Sequence, residues 1–196
     1  MYNFSNIVNN QNKELLKKME KSSTTQKAKT KSKKAWIFEY HVWWMDALVF
    51  IGGTILLGGL ASLLGGKMFH FENFKMPPAT VPKIVFPFAW AIIYVAIGIS
   101  TFLMWRDKEI KEKNRKFNLV LYFIHMFFNV LWPFFFFRFN LPIVAVIWIL
   151  FVIASAIVTL YRYFIANLSA GIIFCVYCAW LVYALYLNLG LVLINF

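Results

Sequence analysis

The sequence predicts an all-α integral membrane protein, a five-transmembrane-helix bundle preceded by a disordered basic N-terminal tail. Three observations predict it. Of 196 residues, 61% are apolar and 20% aromatic, against roughly 45–50% apolar in soluble domains. The apolar residues fall in five long runs spread along the whole chain, each long enough to cross a hydrocarbon core about 30 Å thick. Basic residues flank these runs: nine of the 20 Lys and Arg lie in residues 1–40 and six between Arg106 and Lys116. A signal peptide ahead of a greasy secreted domain would instead concentrate the apolar signal at the start.

Residues 1–40 form the first region, rich in Lys, Ser, Thr and Asn. Lys27–Lys34 has the composition of a disordered basic stretch, and Gln11–Lys21 that of a short amphipathic helix. A transit peptide would favour Arg over Lys, so the tail is expected to be solvated and to touch anionic headgroups. The formal charge of +12 raises nucleic acid as a partner. The placement of the charge beside membrane spans and the absence of a zinc-finger or RNA-binding signature argue against it, so no nucleic-acid partner is expected.

Residues 41–196 form the membrane domain, with spans expected at about 46–66, 84–105, 117–138, 141–163 and 168–194. Trp43 and Trp44 stand where an interfacial aromatic belt would put them. Only Arg138–Leu141 separates the third and fourth spans, which predicts a tight hairpin, and Pro142 suits the first turn of the fourth helix. Charge placement puts the N-terminal tail, Arg106–Lys116 and Arg162 on the cytoplasmic side, and five crossings then put Phe196 outside. The longest connection, Gly66–Lys83, holds Pro77, Pro78 and Pro82, which block helix and stiffen it into a candidate lid.

Within the spans, aromatic and polar residues recur at helical spacing. The second span carries Phe86, Trp90, Tyr94 and Gly98 at steps of four, which draws a stripe along one face. The stripe reads as the wall of an aromatic pocket or as helix packing, with Gly98 allowing close approach. In the third span His125, Asn129, Trp132 and Phe136 share a face, and the two polar side chains should point into the bundle. Pro133 cannot donate to the Asn129 carbonyl. That leaves two readings for Asn129, a polar anchor for a ligand or an interhelical hydrogen bond. The fifth span carries Tyr177, Trp180, Ala184 and Asn188 on one stripe, with Asn195 seven residues further on near the interface. Ala184 leaves room for a ligand or for another helix. In the first span Gly52, Gly59 and Gly66 repeat at seven, as do Gly58 and Gly65, and allow close contact within the bundle or in a dimer.

Other chemistry finds little support. Cys175 and Cys178 form a C-x-x-C inside an apolar run with no histidine nearby, which reads as small apolar side chains rather than a metal or redox site. No Asp or Glu lies at the centre of a span, where a proton-coupled pump would carry one. No catalytic triad, phosphate-binding glycine loop or metal cluster is present. No catalytic residue is therefore assigned, and the chain is read as more a binding protein than an enzyme.

Taken in register, these stripes resemble the TspO/MBR family of tryptophan-rich sensory and translocator proteins. The ladder Phe86, Trp90, Tyr94 and Gly98 matches the family's second helix, and Pro77 and Pro82 match two prolines of its loop. Asn129, Trp132, Phe136 and Phe137 match its third helix. Tyr177, Trp180, Ala184, Leu187, Asn188 and Asn195 match its fifth. The resemblance covers about residues 46–196. The departures fall mostly around the loop: Ala79 stands at the position of the family's loop Trp, Val81 at the first proline of its Pro-Pro pair, and His70 and Phe71 at its Trp-Tyr. Val176 replaces the proline before Tyr177, Pro133 is one position early, and the cholesterol motif of animal members is absent.

The resemblance implies a membrane receptor or carrier that binds a flat hydrophobic ligand inside the bundle, a tetrapyrrole such as a porphyrin or a sterol-like lipid, and transports or senses it. The expected ligand-binding residues are Phe86, Trp90, Tyr94, His125, Asn129, Trp132, Trp180, Ala184 and Asn188. No cofactor is tightly required, and a haem-type tetrapyrrole is the bound group the likeness admits. Membrane lipids and a homodimer partner complete the expected associations. A bacterial inner membrane and a eukaryotic organelle membrane, mitochondrial outer or endoplasmic reticulum, are equally compatible. Two alternatives stand beside this reading: a structural or interaction membrane protein without a small-molecule site, and a tetrapyrrole- or lipid-modifying enzyme, in which His125 would be the first residue to test.

Overall fold

The structure, a computed structural model, describes the backbone of residues 4–66 and 74–196. His70 and Phe71 lie outside the described residues. Helix α1 spans Phe4–Ala47, α2 Gly53–Gly65, α3 Val85–Arg106, α4 Glu112–Pro133, α5 Pro142–Ala166 and α6 Leu168–Asn195. Among the described residues, five stretches are long and apolar enough to cross a membrane: Trp43–Gly65, Val85–Arg106, Glu112–Arg138, Pro142–Ala166 and Leu168–Asn195. The chain divides into two compact units, Met1–Met45 and Asp46–Phe196.

In the first unit α1 runs from Phe4 through the lysine-rich segment. Lys, Gln, Glu and Ala are all good helix formers. The hydroxyls of Thr24, Thr25 and Thr30 donate to the carbonyls of Glu20, Lys21 and Gln26, one turn back. The third span also begins earlier than its apolar residues suggest. Its polar first turn is already helical and is tied by a Lys116–Glu112 pair at 2.7 Å.

In the second unit the helices form a ring. Going round it, α2 packs on α3, α3 on α6, α6 on α5, α5 on α4 and α4 back on α2. With no hydrophobic drive between helices in lipid, close packing and interhelical hydrogen bonds hold such a ring together. Both are visible. A Cβ added to Gly98 on α3 would stand 2.7 Å from the Ile51 Cα and 3.0 Å from the Phe50 carbonyl oxygen. Those atoms belong to a π-helical turn, Leu48–Gly52, that joins α1 to α2. Gly58 on α2 leaves room for the Tyr94 ring, and Gly65 for Pro133. The polar pairs sit between neighbours. The Thr54 hydroxyl donates to the Phe50 carbonyl and so receives the Tyr122 hydroxyl, at 2.7 Å, from α4. Thr101 on α3 meets Tyr163 on α5 at 3.0 Å, and Ser100 donates to the Ala170 carbonyl on α6 at 2.6 Å.

Local chemistry explains the ends. Pro133 lacks the N–H that would close the last α-helical turn of α4, and the chain widens into a π-helical turn over Phe134–Arg138. The hairpin then closes at Asn140, whose φ of 52° is left-handed, and Pro142 opens α5. At the other end of the ring Asn167 breaks the chain between α5 and α6. Its side-chain oxygen accepts from the Ala170 amide at 2.9 Å, and its amide nitrogen donates to Asp107 at 2.8 Å. The Arg106–Asp46 pair, at 3.2 Å, lies at this same end. It is partly solvated, so it contributes at most about 1 kcal/mol.

The glycine contacts give a paired test. Gly98→Ala should destabilise the bundle by about 1–3 kcal/mol, because its new methyl meets main chain rather than a movable side chain. Gly59→Ala, with nothing within 4 Å of the added carbon, should be close to neutral. Thermal unfolding of the two variants in one detergent checks the difference.

Candidate ligand-binding site

The centre of the site is a hydrogen-bonded triad on three helices. Asn129 on α4 is 3% exposed. Its side-chain oxygen accepts from the Tyr94 hydroxyl on α3 at 2.8 Å, and its amide nitrogen donates to the Tyr177 hydroxyl on α6 at 2.8 Å. The chain cannot leave such groups unpaired in a bilayer core. Here the three residues answer one another, so Asn129 acts as an interhelical bond.

A tryptophan layer lies one turn from the triad. Trp90 precedes Tyr94 by four residues, Trp132 follows Asn129 by three, and Trp180 follows Tyr177 by three. Because α3 runs opposite to α4 and α6 through the ring, all three steps lead to the same end, the end of the Gly66–Lys83 loop. Trp90 and Trp132 are stacked, with ring centres 6.4 Å apart, and Trp90 and Trp180 meet at 87° with centres 6.3 Å apart. Phe86 packs edge-on against Trp180 at 6.0 Å, and Phe136 stacks on Trp132 at 4.9 Å. Trp90 and Trp180 therefore make a right-angled aromatic corner, a geometry that offers one ring face and one ring edge.

The polar groups around this corner differ in their state. The Trp132 indole donates to the Asn188 side chain at 3.3 Å, and Asn188 in turn donates to the Pro142 carbonyl at 3.1 Å. The Trp180 indole nitrogen is buried and has no hydrogen-bond partner among the described residues. Ala184, 6% exposed, and Asn188, 1% exposed, are both buried on the same stripe of α6.

His125 lies one turn to the other side of the triad, two turns from the tryptophan layer. It packs against Phe174 and Tyr177, and its Nδ1 is 3.0 Å from the Ser155 hydroxyl on α5. That hydroxyl donates to the Val152 carbonyl, so Nδ1 carries the proton toward Ser155. Nε2 is then a buried acceptor without a partner among the described residues. The structure thus gathers Phe86, Trp90, Tyr94, Asn129, Trp132 and Trp180, and sets His125 apart from the aromatic corner. Among the described residues no three His, Cys, Asp or Glu side chains come together as a metal site.

The loop closes over this end by main-chain bonds. The Tyr183 hydroxyl donates to the Ala79 carbonyl at 3.0 Å and accepts from the Val81 amide at 3.1 Å. The Tyr186 hydroxyl donates to the Pro78 carbonyl at 2.6 Å. Asn195 takes both main-chain groups of Lys75, accepting from its amide at 2.8 Å and donating to its carbonyl at 2.9 Å. Pro77 is seated on Gly190, where an added Cβ would meet it at 2.8 Å. Ala79 itself is left-handed, with φ 58°, a conformation that disfavours any residue with a Cβ. Tyr183 and Tyr186 were not expected at the site. Their spacing with Gly190 on one face of α6 was the available signal. The Tyr183 ring touches Trp180, with centres 5.3 Å apart, and so links the loop to the corner.

Residues 47–194 match the model of the TspO/MBR family. The chain belongs to the TspO/MBR family. Among curated relatives, the tryptophan-rich protein TspO of Archaeoglobus fulgidus is 25% identical over 125 residues, covering 64% of this chain and 79% of the relative. Membership makes the chain an integral, multi-pass membrane protein of a sensory and transport family. The match begins at residue 47, so it leaves out nearly all of α1.

Two tests follow. Asn129→Ala leaves two tyrosine hydroxyls without their shared partner and should cost about 1–3 kcal/mol, read as a lower unfolding temperature in detergent. Tyr183→Phe with Tyr186→Phe removes three bonds to the loop at about 0.5–1.5 kcal/mol each. Hydrogen exchange at residues 75–83 should rise by at least about tenfold, while exchange in the middle of α4 and α5 stays unchanged.

Proposed function

We propose that this chain binds a flat hydrophobic ligand, a tetrapyrrole or a sterol-like lipid, at the Trp90–Trp180 corner beneath the proline loop, and that it transports or senses that ligand. The observation that carries the reading is the Trp180 indole N–H, a buried donor without a described partner, on a ring that meets Trp90 at a right angle. A ligand acceptor there would satisfy it, and the flanking rings supply the apolar walls typical of small-molecule sites. Inserting a flat ring between Trp90 and Trp132 needs about 7 Å, two van der Waals contacts of roughly 3.5 Å. Their centres are 6.4 Å apart. The Trp90 and Trp180 centres, 6.3 Å apart, are likewise in contact, so the ligand would lie against the outer side of the corner rather than between any two of these rings. Asn129 and Asn188 support the site from behind, since each already holds partners within the bundle. The N-terminus is placed on the cytoplasmic side by its basic residues.

The second reading, a bundle that organises partners or lipids without a small-molecule site, is favoured by those same satisfied asparagines. A porphyrin titration separates the two. Saturable binding, read as a shift of the porphyrin absorbance band, is expected for the purified protein. Trp180→Phe keeps an aromatic ring but loses the indole N–H and the indole's second ring, so affinity should fall at least roughly three- to tenfold. Trp90→Ala with Trp180→Ala should abolish the shift. Binding that never saturates, or that ignores both substitutions while the fold is intact, would sink the ligand reading.

A further inference from the structure

The segment before the family match carries a surface of its own. Residues 13–27 of α1 are exposed. Between Lys13 and Lys21 the side chains divide by chemistry. Leu15, Leu16 and Met19 are 57%, 65% and 69% exposed. On a helix of 3.6 residues per turn they fall within an arc of about 100°. Lys13, Lys17 and Lys21 occupy the opposite side, and Lys18 borders the apolar arc. From residue 13 to residue 34 the chain has nine lysines and only two acidic residues, Glu14 and Glu20.

We propose that Lys13–Lys21 is a docking surface for an anionic lipid bilayer, with Leu15, Leu16 and Met19 entering the headgroup boundary, Lys18 beside them reaching lipid phosphates, and Lys13, Lys17 and Lys21 adding longer-range attraction to the anionic surface. An apolar arc bordered by lysine is the pattern of an interfacial helix, and each lysine near such a surface adds electrostatic attraction. The same chain enters the membrane at Trp43–Gly65, so a bilayer is always within reach and the encounter is intramolecular.

Geometry adds a requirement. A straight helix would carry Lys21 about 33 Å from Trp43, at 1.5 Å per residue, so docking needs a bend between them. The sequence supplies one. Ser22, Ser23, Thr24 and Thr25 are weak helix formers, and the Thr24, Thr25 and Thr30 hydroxyls bond to carbonyls one turn back, an arrangement that bends helices. Residues 22–30 are the hinge and residues 13–21 the foot.

The test uses the full chain in nanodiscs, with Cys175→Ala and Cys178→Ala as background and an environment-sensitive dye on Met19→Cys. Discs of phosphatidylcholine alone are compared with discs that also contain phosphatidylserine. The expected result is a blue shift and reduced quenching by acrylamide in the anionic discs alone. Salt at about 1 M, where screening acts within about 3 Å, should reverse the shift. Replacing Lys13, Lys17, Lys18 and Lys21 by Gln should remove it. Replacing Ser22–Thr25 by Ala stiffens the hinge and should weaken it with every lysine in place. Identical emission and quenching in the two kinds of disc would overturn the proposal. So would a shift that appears only when two copies share a disc, which would give the apolar arc to a second chain.

Discussion

The amide of Asn129 is the group on which the bundle's interior depends. A primary amide in hydrocarbon needs partners on both its oxygen and its nitrogen, and here two tyrosine hydroxyls from two other helices supply them. Each interhelical bond contributes modestly, on the order of 0.6 kcal/mol on average in membranes. Its greater effect is geometric. The bonds hold α3, α4 and α6 at one level, and a slip of any helix by a residue would strand a buried polar group. Because the helices are antiparallel in the right sense, fixing that level also fixes where the next turn of each points. Trp90, Trp132 and Trp180 then meet about 5 Å away, toward the loop.

The same registration sorts the remaining polar residues. One turn on the far side of the triad is His125, enclosed by α5 and α6 and bonded to Ser155. Asn188 lies further toward the loop and ties α6 to the start of α5 through the Pro142 carbonyl. Residues that share a helical stripe in sequence therefore serve different layers. A stripe shows which face a side chain takes, but not which neighbouring helix answers it.

That distinction sets what was legible beforehand. The five spans could be read from apolar runs and charge placement because both express the bilayer's thickness and the cost of charge within it. Gly98 was legible as a close-approach residue, since only packing explains a glycine at that step of an aromatic ladder. The pairing of Asn129 with two tyrosines was not, because sequence spacing holds no information about contacts between helices far apart in the chain. The helical state of the lysine-rich segment was obscured for another reason. Its composition signals solvation, whereas its Lys, Gln and Glu also favour helix, and composition alone does not rank the two.

The loop shows how a local departure from the family pattern can leave closure intact. Ala79 cannot supply the large side chain that the family's loop tryptophan offers, yet the strap stays seated because it is held through main-chain groups. Tyr183 takes both the Ala79 carbonyl and the Val81 amide, Tyr186 takes Pro78, and Asn195 takes both groups of Lys75. The carbonyl acceptors at Lys75, Pro78 and Ala79 do not depend on the side chains there, whereas the Val81 N–H is a donor that a proline at that position would not have. The donors lie on the helix that also carries Trp180, and Tyr183 packs against that ring. Displacement of Trp180 by a ligand would press on Tyr183 and so on the strap. Trp180 and the loop are in this way linked through a single turn of α6.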